Sequence, residues 1–181
     1  MISTKMKYVD DHIQKILAPL RTSQEFLRLI YYLSEFQSPL EPYFFDENGN
    51  RVLQPDITKT WQELISDKSI VLTLFNSTIL TKEKVTVFFA HLLSKYDDNS
   101  NFNDDTIYEM NIVVPYNKIM IPNTIQQRHN RIAKVVCELI DNQPIAGIGN
   151  VFCIHVSTYK ENDDYEGLCL RFKVNDFTKG V

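Results

Sequence analysis

Residues 107–177 read IYEMNIVVPYNKIMIPNTIQQRHNRIAKVVCELIDNQPIAGIGNVFCIHVSTYKENDDYEGLCLRFKVNDF. Their order (strand, helix, strand, acidic loop, strand) decides the fold. Asn123 is placed as an N-cap, with Gln126 three residues on as its capping-box partner. Pro122 before it holds Ile121 extended. Ile125, Ile132, Val136, Leu139 and Ile140 recur at 3.6-residue spacing, with Val135 flanking. Asp141, Asn142 and Pro144 stop the run. The spacing therefore predicts one long helix over about 123–142, with Arg128, Arg131 and Lys134 around its far side.

The two segments that follow alternate with period two. In 151–158, Phe152, Ile154 and Val156 share one face, and Val151, Cys153, His155 and Ser157 the other. In 168–175, Leu168, Leu170, Phe172 and Val174 share one face, and Cys169, Arg171, Lys173 and Asn175 the other. Such alternation predicts half-buried strands in an antiparallel pair. The polar, acidic TYKENDDYEG between them reads as a solvated hairpin loop. Gly147 and Gly149 bracket Ile148, where a turn with positive φ or a bulge is expected.

Working outward, 106–114 is a strand with Tyr108, Met110, Ile112 and Val114 on one face. It pairs through the loop DDNSNFNDD with 84–96, where Val85, Val87 and Phe89 alternate; FFAHLLSKY would also suit a helix, and a long strand is the favoured reading. Asn48-Gly49 lies between Tyr43-Phe44-Phe45 and Arg51-Val52-Leu53, a strong hairpin signal. Thr60 with Glu63 makes a capping box for a short helix with Trp61, Leu64 and Ile65. Ser69 to Phe75 is an apolar strand candidate. Near the N-terminus, residues 6–18 form a first helix with Pro19 just beyond. Thr22 with Glu25 caps a second, whose wide apolar stripe runs through Phe26, Leu27, Leu29, Ile30, Leu33 and Phe36. A stripe that wide is buried on more than one side or packs on another chain. Ser38-Pro39-Leu40-Glu41-Pro42 is the best internal boundary. The expected organisation is a helical segment, 1–38, and a core domain, 39–181. The fold class is α+β: an antiparallel or mixed sheet packed by one long helix, with N-terminal helices.

Composition narrows the function classes. The chain has 181 residues, 44% hydrophobic and 12% aromatic, enough for a real core, and a net charge of −4. That charge argues against a general phosphate-backbone binder, and no specific nucleic acid is expected. No apolar run reaches the roughly 18 residues a membrane span needs. MISTKMKYVDDH lacks the apolar core of a signal peptide, so synthesis in the cytoplasm is expected. Three cysteines without short paired spacing read as reduced thiols.

Several residue sets bear on chemistry. Alternation places Cys153, His155 and Cys169 on one face of neighbouring strands, a thiolate and imidazole set that suits zinc. His129 or Cys137 would be the fourth ligand, but their helix covers the opposite face. The alternative is three ordinary side chains on a half-exposed surface or at a subunit contact. Asp97/Asp98, Asp104/Asp105 and Asp163/Asp164 fall in loops, whereas metal hydrolases hold carboxylates on rigid elements. Cys137 and His129 are two helical turns apart, too far for a nucleophile and base. No catalytic set and no cofactor are expected. Arg128, Arg131, Lys134, Arg171 and Lys173 are the candidate assembly-interface residues, fit to meet the acidic loops of a neighbouring subunit.

The stretch from Ile112 to Phe177 resembles the C-terminal half of tail-terminator and related neck (head–tail joining) proteins of tailed bacteriophages. The likeness rests on element order and on Tyr165-Glu166-Gly167 leading from an acidic loop into LCLRFKVNDF. It implies a non-enzymatic virion structural protein, a homo-oligomeric ring, commonly six-fold. Its partners would be portal, connector or tail-tube proteins. The two N-terminal helices and the Asn48-Gly49 hairpin depart from the shortest members of that group. Two alternatives stand beside it. One is a zinc-binding or metal-dependent small domain. The other is a host-directed regulator that binds a protein partner through the N-terminal helices.

Overall fold

The period-two segments build one sheet. In the computed structural model, which describes residues 2–34, 37–96, 103–145 and 149–175, six strands lie in the order β3-β4-β5-β8-β7-β6. They are β3 (Ile70–Val71), β4 (Thr86–Tyr96), β5 (Asn103–Pro115), β6 (Gln143–Ile145), β7 (Gly149–Glu161) and β8 (Tyr165–Asn175). β3 runs parallel to β4, and every other neighbour is antiparallel. The chain is thus α+β. The expected loop tip at 97–102, Phe36, Gly147 and Ile148 lie outside the described residues, as do the side chains of Asp104 and Asp105.

One sheet face carries the main core. Val87 and Phe89 of β4, Tyr108, Met110, Ile112 and Val114 of β5, and Leu168, Leu170, Phe172 and Val174 of β8 are all buried there. This is the alternation read from the sequence. Helices α1 (Ile2–Thr22), α2 (Gln24–Tyr31) and α4 (Arg128–Ile140) cover that face. Ile13, Ile16, Leu17, Phe26, Leu27 and Ile30 belong to the same cluster as the strands. The boundary expected at 38/39 therefore divides residues that share one core.

Helix ends differ from the sequence expectation. α1 continues through Pro19, whose carbonyl still accepts from Ser23 N at 3.2 Å and from the Thr22 hydroxyl at 3.1 Å. Ser23, not Thr22, caps α2, its side chain accepting from Phe26 N at 3.2 Å. α2 ends at Tyr31. The single long helix over 123–142 is not observed: α4 has 13 residues and starts at Arg128, while α1 has 21. Asn123 sits at φ +60, in the left-handed region that asparagine tolerates, inside a turn. There Ile121 N donates to Gln126 O at 3.0 Å and Thr124 N to Ile121 O at 3.2 Å. The turn satisfies the groups that a longer helix would have used. The capping box on α3 (Trp61–Ser66) is present as expected, with Thr60 and Glu63 bonding reciprocally.

The opposite sheet face is half covered. Phe88, Val113 and Tyr165 are buried there under Phe75, Ile79 and Leu80 of the segment between β3 and β4, with Tyr159 beside them. Gly167 makes room for this: a Cβ would meet the Ile112 carbonyl oxygen and, at 2.8 Å, the Tyr159 ring. The strand expected over Ser69–Phe75 is only β3, because the rest of that segment folds across the sheet. The Asn48-Gly49 hairpin forms as read. β1 (Tyr43–Phe45) and β2 (Arg51–Leu53) make a separate two-stranded sheet.

Candidate functional site

The hairpin is a firmly based arm with an apolar outer face. Gln54, buried at its base, accepts from Ser38 N at 3.0 Å and donates to the carbonyls of Ser38 and Glu41 at 2.7 and 2.9 Å. Tyr32 adds a bond to Pro55 O at 2.7 Å. Tyr43 opposes Leu53 and Phe45 opposes Arg51, so these four share one face. The Arg51 guanidinium lies 3.5 Å over the Tyr43 ring. Phe45 is 64% exposed and Leu53 76%. At the turn, Gly49 takes φ +78. The Asp46 carboxylate accepts from Asn50 N at 2.8 Å, from the Asn50 side chain and from Asn48 N. The backbone bond from Asn50 is the main reason it stays below the usual carboxylate range. Glu47 is exposed.

A groove of about 510 Å³ opens at the start of α4, lined by Met120, Ile125, Gln126, Asn130, Arg131 and Lys134 among others. Ile125 is 95% exposed and Met120 50%, because the turn before α4 carries them off the helix's buried face. Arg131 pairs with Glu25 of α2, and Lys134 with Glu138 one helical turn on, at 3.7 Å. The Lys134–Glu138 pair is exposed, contributes little and exchanges readily, whereas the Arg131–Glu25 pair is part-buried and hydrogen-bonded.

The five candidate cations fall in three places. Arg131 and Lys134 line the groove. Arg171 lies on the less covered sheet face, donating to Glu109 at 3.0 Å. Asn111 also donates to Glu109 at 3.0 Å. Burial pushes the Glu109 carboxyl up, but these two bonds outweigh it and hold the carboxyl below its ordinary range. Lys173 is on this face too, two residues along β8. Arg128 is a correction. It is fully buried, donating to Lys118 O at 3.0 Å, Leu29 O at 2.9 Å and Tyr32 O at 3.2 Å. Burial lowers its pKa to about 10. It ties α2 and the 3₁₀ turn at Tyr116–Lys118 to α4 and presents nothing to a partner.

Cys153, His155 and Cys169 do not converge. A register shift between Cys153 and His155 puts Cys153 opposite Phe172, on the core side, and His155 opposite Arg171, on the other. An extra residue on one strand reverses the facing of everything after it. The same shift corrects the expected apolar face of β7. Val151 is buried with the core, Cys153 packs against it, and Ile154 and Val156 are half exposed. Among the described residues, no three of His, Cys, Asp and Glu form a group able to hold a metal.

Cys153 instead neighbours Cys137 of α4. Asp141 links them, accepting from Cys153 N at 2.7 Å and donating its own N–H to Cys137 O at 2.8 Å. Burial, then the neighbouring Cys153, pushes the Cys137 thiol up to about 12; burial, then Glu109, pushes Cys169 up to about 11. Thiols held protonated are poor nucleophiles and poor ligands. His129, also buried, has Glu166 3.7 Å from its Nε2. The acidic tip before β8 is pinned: Lys160 holds Asp163 at 2.8 Å, and Lys82 holds Asp164 at 2.7 Å. The sequence reading missed the groove. Its signal was Ile125, which precedes the first helical turn that Arg128 begins.

Among known proteins, a family model described as YomW matches residues 23–174. That span is most of the chain and contains the hairpin, the groove and all six main-sheet strands; the chain belongs to the YomW family. No curated protein matches it.

Proposed function

We propose that this member of the YomW family is a non-enzymatic virion structural protein of a tailed phage. Its role is that of a ring-forming tail terminator or head–tail joining (neck) subunit, which contacts portal, connector or tail-tube proteins in the virion. One observation carries this reading. Large apolar side chains, Phe45, Leu53, Met120 and Ile125, face solvent on a clamped hairpin and in an open groove. Covering such surface is favourable by roughly 25 cal/mol per Å², and clustered exposure of this kind marks interaction surfaces. The side chains that bear on chemistry favour the same reading, since Arg131, Lys134 and Arg171 are paired with carboxylates and the Cys137 and Cys169 thiols are held protonated.

The support does not come from the apolar stripe of α2. Phe26, Leu27, Leu29 and Ile30 are buried in this chain's own core, where α2 packs on α4 and α1. Those four side chains therefore offer no surface to a host partner. Separation of Cys153 from His155 and Cys169 likewise removes the ligand set that suggested a zinc-binding domain.

Sedimentation velocity and native mass spectrometry of the full chain, alone and with a connector or tail-tube protein, test the proposal. A ring-sized oligomer, formed alone or on the partner, is expected. A monomer at every concentration that gains nothing from either partner contradicts it.

A further inference from the structure

We infer that the β1–β2 hairpin of one copy of this chain docks into the α4 groove of a second copy. The inference rests on the reading of the chain as an assembly subunit and names the contact through which it assembles. Three features fit the two surfaces to each other.

Both are apolar at their centres. The hairpin offers Phe45 and Leu53, and the groove offers Ile125 and Met120, the most exposed large hydrophobic side chains of each. An isolated two-stranded hairpin is marginal in water and gains from a surface to lie on.

Their charges are opposite. Asp46 is used inside its own turn, which leaves Glu47 as the exposed acid beside Phe45, with no ion-pair partner among the described residues. The groove wall carries Lys134 and Arg131, of which Arg131 is already bonded to Glu25, and the first turn of α4 adds the positive end of the helix dipole. The hairpin's own cation, Arg51, is stacked on Tyr43. Lys134 can exchange its pair with Glu138 for Glu47 at little cost.

The arm is also pre-formed. Gln54 and Tyr32 fix its base, so docking orders little new chain. Hairpin and groove are unlike surfaces, so two copies can exchange the contact reciprocally and close as a dimer, or pass it on from copy to copy. Repeated head to tail, it closes into a ring where the rotation permits.

The test is a charge exchange read by sedimentation velocity on the full chain. Glu47→Lys and Lys134→Glu alone should each weaken association about tenfold or more. The chain carrying both should recover most of it, and Phe45→Ser should weaken association without lowering the unfolding midpoint. All three side chains are exposed, so circular dichroism should show each variant folded. A species that stops at a dimer with the same charge dependence supports the contact and overturns the ring. An oligomer indifferent to all the variants overturns the contact and leaves the assembly reading in place. So does one that responds to Phe45→Ser but not to Lys134→Glu. A wild type that stays monomeric, alone and with connector or tail-tube protein, overturns both.

Discussion

Arg128 holds three backbone carbonyls that otherwise face a dry interior: those of Lys118, Leu29 and Tyr32. Arg128→Met keeps much of the volume and leaves those acceptors without a donor, so a loss of about 3 kcal/mol is expected in urea unfolding. Its burial was legible in part, since it lies four residues before Ile132, on the same helical face. Its charge pointed to the surface, and a buried, carbonyl-bonded guanidinium gives no local signal in one sequence. His129 beside it gives a pH effect. Burial, opposed by Glu166, lowers its pKa from the ordinary 6.5. The unfolded chain then binds the proton more readily than the folded one. Stability contributed by neutral His129 is therefore fully present above pH 6.5 and declines as pH falls below it, down to the folded-state value. Urea midpoints at pH 7.5 and 5.5 should separate more for the wild type than for His129→Gln. Equal separations would contradict a buried neutral imidazole.

At the scale of elements, the strands were largely readable and the interruptions were not. Alternation in β4, β5 and β8 follows from the sheet face on which the helices pack. The shift at Cys153/His155 adds a residue without any glycine or proline to announce it, so the facing of half of β7 was misread. α4 starts late because the 121–127 turn closes its own hydrogen bonds. This start can be checked by contrast. Ile125→Ala, outside the helix and exposed, should change stability by no more than about 0.5 kcal/mol. Ile132→Ala, fully buried, should cost about 2–5 kcal/mol. Similar losses at both positions would return Ile125 to the core and close the groove.

At the scale of the molecule, the α+β class was legible from the number and period of the segments. The parallel β3 edge was not, because two residues make too short a pattern. Nor does one sequence reveal that the N-terminal helices and the sheet share one core. Removing residues 1–38 uncovers the apolar face of β4 and the side of α4 on which α1 and α2 pack, so that truncated chain should lose cooperative unfolding. A sharp transition for it would favour the division into a helical segment, 1–38, and a core domain, 39–181. The assembly proposal belongs to this scale as well, because its surfaces come from segments some 70 residues apart in sequence, too far for any local motif to join.

The most direct test is the mass of the full chain in solution, measured by sedimentation velocity over a wide concentration range, with and without a connector or tail-tube protein. The account predicts a closed oligomer of ring size. A monomer under all of these conditions would contradict it.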